Sequence, residues 1–143
     1  MEINKIEQIA REAHEGQKRW NGDEYITHPI RVSEKMPNDK LKAIALLHDV
    51  MEDTDYSMSE LSGKGVDKKI VQTLCFLTRC ENQTYSEYIN QIIKSIDINT
   101  DAVIVKIADL EDNLSDITPG NQKDKYELAL LLLKSKLEEK QNE

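Results

Sequence analysis

Hydrophobic residues recur every three or four positions along most of the chain, which is the spacing of amphipathic helices. The first run occupies residues 3–13, and Gly16 is expected to end it. Further runs of this kind cover residues 28–36, 41–51, 66–77, 85–96, 102–114 and 128–137. The pattern therefore predicts a chain built almost entirely from helices.

Turn-forming and capping residues separate these runs. The Asn21-Gly22 pair predicts a loop over residues 19–27, and Thr27 is expected to cap the short helix that follows. Asn38 is suited to cap the next helix, and the spacing of Ser57 and Glu60 is typical of a capping box. The signals for helix starts thus agree with the hydrophobic periodicity.

One run has two interpretations. Residues 102–107 (AVIVKI) are rich in β-branched side chains and could form a buried strand. The apolar pattern continues without a break to Leu114, which favours a helix. With no paired strand signals or repeats elsewhere, we predict an all-α fold, one domain over residues 1–143 with about seven or eight helices.

Composition and charge narrow the functional classes. A chain of 143 residues can bury a continuous core, but its net charge of −8 argues against broad nucleic-acid binding, which needs a basic face. There is no apolar run of about 18 residues and no signal-peptide pattern, so neither a membrane span nor export is expected and the cytoplasm is the predicted compartment. Cys75 and Cys80 lack metal-site spacing, so ordinary thiols are expected.

The segment ALLHDVMEDTD, residues 45–55, contains the densest cluster of chemically active side chains. On a continuous helix, His48, Asp49, Glu52 and Asp53 lie three or four residues apart on adjoining parts of one surface. Three carboxylates beside an apolar helix would repel one another unless a cation offsets their charge. The mixture of imidazole and carboxylate favours Mn²⁺, Fe²⁺, Co²⁺, Ni²⁺ or Zn²⁺ over Ca²⁺. The alternative is a helix end whose acids are merely solvated.

Two other segments supply matching ligands. His28 precedes Pro29 at the start of a short helix, where an imidazole can turn inward. Asp109 follows the apolar run AVIVKIA, and Asn113 lies one helical turn further on. A carboxylate in such a run indicates a metal ligand, or alternatively a buried ion pair with Lys or Arg.

These segments together resemble the HD superfamily of metal-dependent phosphohydrolases. The resemblance is greatest to the hydrolase domain of the RelA/SpoT proteins and their small stand-alone relatives, and it covers about three-quarters of the chain. It is carried by four ordered motifs: AHEGQKR (13–19), GDEYITHP (22–29), LLHDVMEDT (46–54) and VKIAD (105–109) with Asn113.

The resemblance implies a role for each matching residue. The implied ligands of one metal ion, usually Mn²⁺, are His28, His48, Asp49 and Asp109. Glu52 and Asp53 are implied to activate or orient the attacking water. Arg19 is implied to lie against the nucleotide base, with Lys18 nearby and Asn113 also contacting the nucleotide. His14 is no ligand in the family and is expected to pack or form hydrogen bonds.

Some positions depart from the family pattern, and they affect the substrate pocket more than the metal site. The family's ADRLHN is ADLEDN here (108–113), Trp20 replaces a small or basic residue, and an Ala-Glu-Asn stretch is not reproduced at residues 86–90. The leading hypothesis is therefore removal of the 3′-pyrophosphate from (p)ppGpp or a similar nucleotide. The alternatives are hydrolysis of another small nucleotide and a non-catalytic nucleotide sensor, which the presence of both Glu52 and Asp53 disfavours.

The sequence leaves the oligomeric state open. The leucine-rich last helix, with Leu128, Leu130 to Leu133 and Leu137, is expected to complete the core, although a subunit contact is the alternative.

Overall fold

A computed structural model, which describes all 143 residues, confirms the all-α class. Its helices are α1 (Ile3–Ala13), α2 (Thr27–Glu34), α3 (Asp39–Leu47), α4 (Val50–Asp53), α5 (Met58–Gly63), α6 (Lys68–Phe76), α7 (Tyr85–Lys94), α8 (Asp101–Leu114) and α9 (Asn121–Gln141). A 3₁₀ turn over Ser95–Asp97 extends α7. The single turn α4 follows α3 so closely that the two account for one predicted run.

Most predicted helix boundaries agree with the structure. The Asn38 side chain accepts a hydrogen bond from the backbone of Leu41 at 2.9 Å, and Ser57 accepts one from Glu60 at 3.2 Å. Residues 102–107 lie within α8, so the helical interpretation is confirmed. The prediction that Thr27 caps α2 is wrong. Thr27 is the first residue of α2, and its hydroxyl donates to the Glu24 carbonyl.

The predicted helix over residues 41–51 is interrupted in the structure. Its last turn tightens where the His48 backbone N–H bonds the Ala45 carbonyl at 3.4 Å. Asp49 then adopts φ −105° and ψ −1°, in the sparsely populated bridge region that ends regular helical geometry. The prediction of one continuous helix is therefore wrong here, and the His48-Asp49 pair lies at the junction of α3 and α4.

Helix α3 is the centre of the bundle. Its residues from Ala43 to Leu47 are all buried, and α1, α2, α6 and α8 pack around it. Because α3 is apolar on nearly every side, burial on several sides is the arrangement that removes most of its surface from water. The end of α3, where His48 and Asp49 lie, is thereby held between α2 and α8. The single-domain assignment stays a prediction.

Helix α9 packs one face on the core and leaves another exposed. Ala129 and Leu133 are buried, with Leu130 and Leu137 packed against the core, as predicted for the leucine-rich run. Leu128, Leu131 and Leu132 point outward. No helix combines the length and the apolar character needed to cross a membrane. Both cysteines are free thiols, as expected.

Candidate metal centre and its pocket

Four side chains from distant parts of the chain meet beneath a pocket. His28 comes from α2, His48 and Asp49 from the α3–α4 junction, and Asp109 from α8. One potential ligand atom from each lies within 4.8 Å of the others. The Asp109 Oδ1 atom is 2.7 Å from the Nε2 of His28 and 3.2 Å from the Nε2 of His48. The structure thus brings together all four residues that the sequence singled out as ligands.

The other ring nitrogen of each histidine has a partner that fixes its role. His48 Nδ1 lies 2.5 Å from the Ala45 carbonyl, which can only accept, so this nitrogen carries the hydrogen. His28 Nδ1 likewise donates to Asp112 Oδ2 at 2.6 Å. In the neutral imidazole, the lone pair of each Nε2 then faces carboxylate oxygens. That contact is repulsive unless a proton or a metal ion lies between the nitrogen and the oxygens. Such outer hydrogen bonds are typical of metal-binding histidines.

The pKa shifts within the cluster also indicate that positive charge is favoured beside Asp49 and Asp109. Burial opposes charge on His28, but hydrogen bonds to Asp109 and Asp112 outweigh it and raise its pKa. For His48, burial is outweighed by the charges of Asp49 and Asp109, so its pKa lies well above the usual value. Asp49 shows the reverse balance: burial favours the neutral acid, yet His48 lowers its pKa to about 2. The carboxylates thus favour the protonated form of both imidazoles in the metal-free protein.

The donor set fits a divalent transition metal. Two imidazole nitrogens and two carboxylate oxygens offer a mixed nitrogen and oxygen environment, and a dication could supply the charge that two protons supply otherwise. The alternative interpretation of Asp109 also holds in part, because Lys106 Nζ contacts Asp109 Oδ2 at 2.8 Å. This ion pair engages one oxygen of Asp109 and leaves Oδ1 directed at the histidines.

Several residues that hold these ligands were not identified from the sequence. The Tyr25 hydroxyl donates to Asp49 Oδ2. Asp112 accepts hydrogen bonds from Arg31 at 2.8 and 3.0 Å, in addition to the one from His28. Only Lys106, three residues before Asp109 on one helix, could have been found from spacing. Tyr25 and Asp112 act through contacts across the fold, for which the sequence carries no local signal.

The two predicted catalytic acids lie at the rim above the cluster. Glu52 Oε1 accepts the backbone N–H of Arg79 at 3.1 Å. Although its side chain reaches solvent, partial burial of the carboxyl and the charges of Asp49 and Asp53 raise the pKa of Glu52 to about 7. Partial burial and Asp49 similarly raise the pKa of Asp53 to about 6. Such values suit groups that take up a proton near neutral pH.

A pocket of about 280 Å³ opens above the cluster. Its walls include both catalytic candidates, two metal-ligand candidates and all three predicted substrate contacts. The lining residues are Lys18, Arg19, Trp20, Tyr25, Asp49, Glu52, Asp53, Lys106, Asp109, Asn113 and Tyr126. His28 and His48 lie buried beneath it.

The predicted substrate contacts differ in accessibility. Lys18 is exposed at the pocket. The Arg19 guanidinium is instead almost fully buried and donates to Asp116 at 2.6 and 3.3 Å and to Asn113 at 3.2 Å. Asn113 also donates to Asp109 Oδ1 at 3.3 Å. Substrate contact by these three residues stays a prediction, and Arg19 is tied to protein acceptors that the sequence did not indicate.

His14 has a supporting position. Its Nδ1 hydrogen-bonds Gln17 Oε1 at 2.8 Å, and its ring packs 4.8 Å from that of Tyr25. Burial lowers the pKa of His14, which keeps it neutral, and it is not one of the four clustered donors. The expected packing and hydrogen-bonding role agrees with these contacts.

Several curated proteins are similar to this chain in sequence. The guanosine-3′,5′-bis(diphosphate) 3′-pyrophosphohydrolase of Haemophilus influenzae is 36% identical over 121 residues, covering 74% of this chain and 17% of that protein. The bifunctional (p)ppGpp synthase/hydrolase SpoT of Escherichia coli is 36% identical over 117 residues, covering 74% and 16%. The Borreliella burgdorferi pyrophosphohydrolase is 33% identical over 136 residues, covering 86% and 20%. This chain thus spans about a fifth or less of the length of these curated relatives.

A solved structure shares the fold. A metazoan ortholog of SpoT, described as hydrolysing ppGpp, superposes with a TM-score of 0.75 at 23% identity, covering 94% of this chain and 84% of that one. No protein-family model matches the chain. This likeness shows that the two chains share one helical fold.

Proposed function

We propose that this chain, a homologue of SpoT-type (p)ppGpp hydrolases over about three-quarters of its length, is a metal-dependent phosphohydrolase. Its proposed reaction removes pyrophosphate from the 3′ position of (p)ppGpp or a closely similar nucleotide. The observation that carries this proposal is the convergence of two histidine Nε2 atoms on two buried carboxylates at the base of a pocket. That arrangement favours positive charge at this point, and a divalent metal ion there would supply it in the form that phosphoryl transfer uses.

His28, His48, Asp49 and Asp109 are the proposed ligands, and Mn²⁺ is the proposed ion. A bound divalent cation would polarise a phosphoryl oxygen and make the attacking water more acidic. The chain itself fixes the ligands before any ion arrives. Tyr25 orients Asp49, and Lys106 holds the second oxygen of Asp109.

Glu52 and Asp53 are the proposed proton acceptors for the attacking water. Both stand at the rim, on the single turn that follows the ligand pair. The backbone N–H of Arg79 holds one Glu52 oxygen, which leaves the other free to accept a proton. The Gln17 side chain donates to the Asp53 carbonyl at 2.9 Å and so anchors the end of this turn. The raised pKa of each acid increases its basicity relative to an ordinary carboxylate.

Lys18 and Asn113 are the proposed nucleotide contacts, at the pocket wall. Lys18 is exposed and supplies a local positive charge in a protein whose net charge is −8. Arg19 is proposed to hold the pocket wall in position without contacting the substrate directly, because its guanidinium already donates to Asp116 and Asn113. This engagement is also the observation that favours a second candidate, hydrolysis of another small nucleotide at the same metal site.

The decisive experiment is a hydrolysis panel with purified protein. ppGpp, pppGpp, GTP, GDP and ATP would be tested with added Mn²⁺ and with a chelator, and phosphate and pyrophosphate release measured. Asp49→Asn removes one proposed ligand, and Asp55→Asn, an exposed acid of the neighbouring loop, is the matched control. We expect Mn²⁺-dependent pyrophosphate release from ppGpp that only the Asp49 variant loses.

Each other result has a clear meaning. Turnover of other nucleotides alone would retain the metal mechanism and replace the substrate. Metal binding without any turnover would overturn the enzymatic proposal in favour of a nucleotide sensor. Full activity of Asp49→Asn would contradict the proposed ligand set.

A further inference from the structure

Trp20 is an exposed aromatic side chain at the mouth of the pocket. It is the only tryptophan of the chain, and 54% of its surface is accessible to solvent. It lines the same pocket as the candidate catalytic acids Glu52 and Asp53. Leaving so large an apolar ring in water forgoes the free energy that its burial would contribute. A ligand that covers the indole would recover this free energy.

The segment that carries Trp20 is held in place on both sides. Residues 18–24 form a tight hairpin in which Arg19 N–H bonds the Asp23 carbonyl at 2.8 Å, and Gly22 turns the chain at φ +91°. The Asn21 amide donates to Asp116 Oδ2 at 3.0 Å, which attaches the hairpin to the segment that follows α8. The indole is therefore presented by a fixed loop.

Arg19 supports the indole from one face. Its guanidinium carbon lies 4.8 Å from the centroid of the Trp20 ring, within the range of a cation–π contact. Its donors are directed to Asp116 and Asn113, and only 2% of its side chain is exposed. Of these two neighbouring planar groups, Trp20 therefore has far more surface open to a ligand.

We propose that Trp20 is the platform on which the nucleobase of the substrate stacks, with Arg19 as a positioning residue behind it. This inference rests on the proposed function only in assuming a nucleotide ligand. Stacking on an aromatic side chain is open to any base, because every base has a π face. Trp20 therefore contributes affinity for nucleotides over base-free phosphates, while hydrogen-bonding groups of the pocket choose among bases.

The single tryptophan permits a direct binding test. The Mn²⁺-loaded protein is titrated with GDP while its intrinsic fluorescence is recorded, and ribose 5-phosphate and inorganic pyrophosphate serve as base-free probes. We expect saturable quenching by GDP and no comparable change with either base-free probe. Equal responses to GDP and pyrophosphate, or no response to GDP, would overturn the proposal.

Variants separate stacking from general loss of structure. By calorimetry, Trp20→Ala is expected to weaken GDP binding about tenfold, since stacking is worth roughly 1–3 kcal/mol per base, and to leave pyrophosphate binding unchanged. Trp20→Phe should retain affinity to within about threefold, and Ile98→Ala, which trims an exposed apolar residue outside this pocket, is the control. Unchanged GDP affinity in Trp20→Ala would contradict the proposal even if ppGpp is hydrolysed. Stacking without any turnover would retain the platform and refute the proposed enzyme.

Discussion

The contacts of His48 show why this cluster of side chains favours a positive charge. Its Nδ1 is committed to the Ala45 carbonyl, and its Nε2 faces Asp49 at 3.0 Å and Asp109 at 3.2 Å. Only a proton or a metal ion can occupy that position without placing a lone pair against negative charge. Asp109 responds in the same sense, because Lys106 and His48 outweigh its burial and hold its pKa well below the ordinary value. If a metal ion binds here as proposed, it would take the place of protons on the imidazoles.

Proton release on metal binding follows from the raised histidine pKa values. The raised pKa of each imidazole means that protons compete with a metal ion for these nitrogens, and a proton held there must be lost before the imidazole becomes a ligand. The apparent metal affinity should thus rise with pH, by up to about tenfold per unit for each proton lost. Calorimetry of Mn²⁺ binding in buffers of different ionisation enthalpy measures the number of protons released. Release of none at pH 7 would contradict the assignment.

Glu52 provides the second prediction at this scale. Glu52→Gln removes a proton acceptor but keeps the oxygen that bonds Arg79, so the variant should fold and retain metal. We expect its kcat to fall by about 10²- to 10⁴-fold, the range for a general base. Metal content by mass spectrometry and kcat are measured together, with Glu81→Gln, an exposed acid outside the pocket, as control. A variant that loses its metal would place Glu52 among the ligands instead.

At the scale of elements, the α2–α8 contact keeps the ligands aligned. Asp112 of α8 bonds both His28 and Arg31 of α2, while its own side chain is only 5% exposed. These hydrogen bonds and the charge of Arg31 outweigh the effect of burial and keep the pKa of Asp112 below its ordinary value. Asp112 therefore remains an acceptor for His28 throughout the neutral range.

Removing Asp112 should therefore affect stability and metal binding together. Asp112→Ala leaves His28 and Arg31 without their partner, and we expect a loss of about 3 kcal/mol in the free energy of unfolding. Mn²⁺ affinity should fall about 10- to 100-fold, because the outer hydrogen bond orients the imidazole. Urea unfolding and metal titration test both, with Glu34→Ala, an exposed acid of α2, for comparison. Intact metal affinity would show that His28 keeps its orientation without Asp112.

The elements also show what the sequence could predict. Helix periodicity located the helices. His and Asp beside apolar runs indicated candidate ligands, and the family resemblance selected His28, His48, Asp49 and Asp109 among them. The junction at Asp49 was missed, because its φ and ψ depend on packing at the end of α3. Asp112 was noted only as a departure from a family motif, since its partners lie 81 and 84 residues away. Arg19 was assigned to the nucleotide base by the family resemblance, and nothing in the sequence indicated its pairing with Asp116.

For the whole molecule, the proposed metal site joins segments that are far apart in the chain. His28 and Asp109 are 81 residues apart, and the α3–α4 junction lies between them. A cation bound there contacts both sides of the bundle and is absent from the unfolded chain. Binding energy at the site is consequently stability for the fold as a whole.

Chelation should therefore lower the melting temperature of the protein. Free metal at about one hundred times Kd adds roughly 2.7 kcal/mol, equivalent to about 5–10 °C for a chain of this size. Differential scanning calorimetry with Mn²⁺ and with chelator measures the shift. Asp49→Asn should show a much smaller shift, and an equal shift in that variant would place the stabilising ion elsewhere.

The long separation between His28 and Asp109 also has a kinetic consequence. Because closing so long a loop costs entropy, we expect these ligands to meet after most of the bundle has assembled, so that the ion would act on a late stage of folding. It should leave the refolding rate nearly unchanged and slow unfolding, because contacts absent from the transition state affect only the rate of leaving the native state. Stopped-flow unfolding with and without Mn²⁺ would show this as a shift of the unfolding arm alone. The same ion that equips the pocket for chemistry would then also prolong the lifetime of the folded chain.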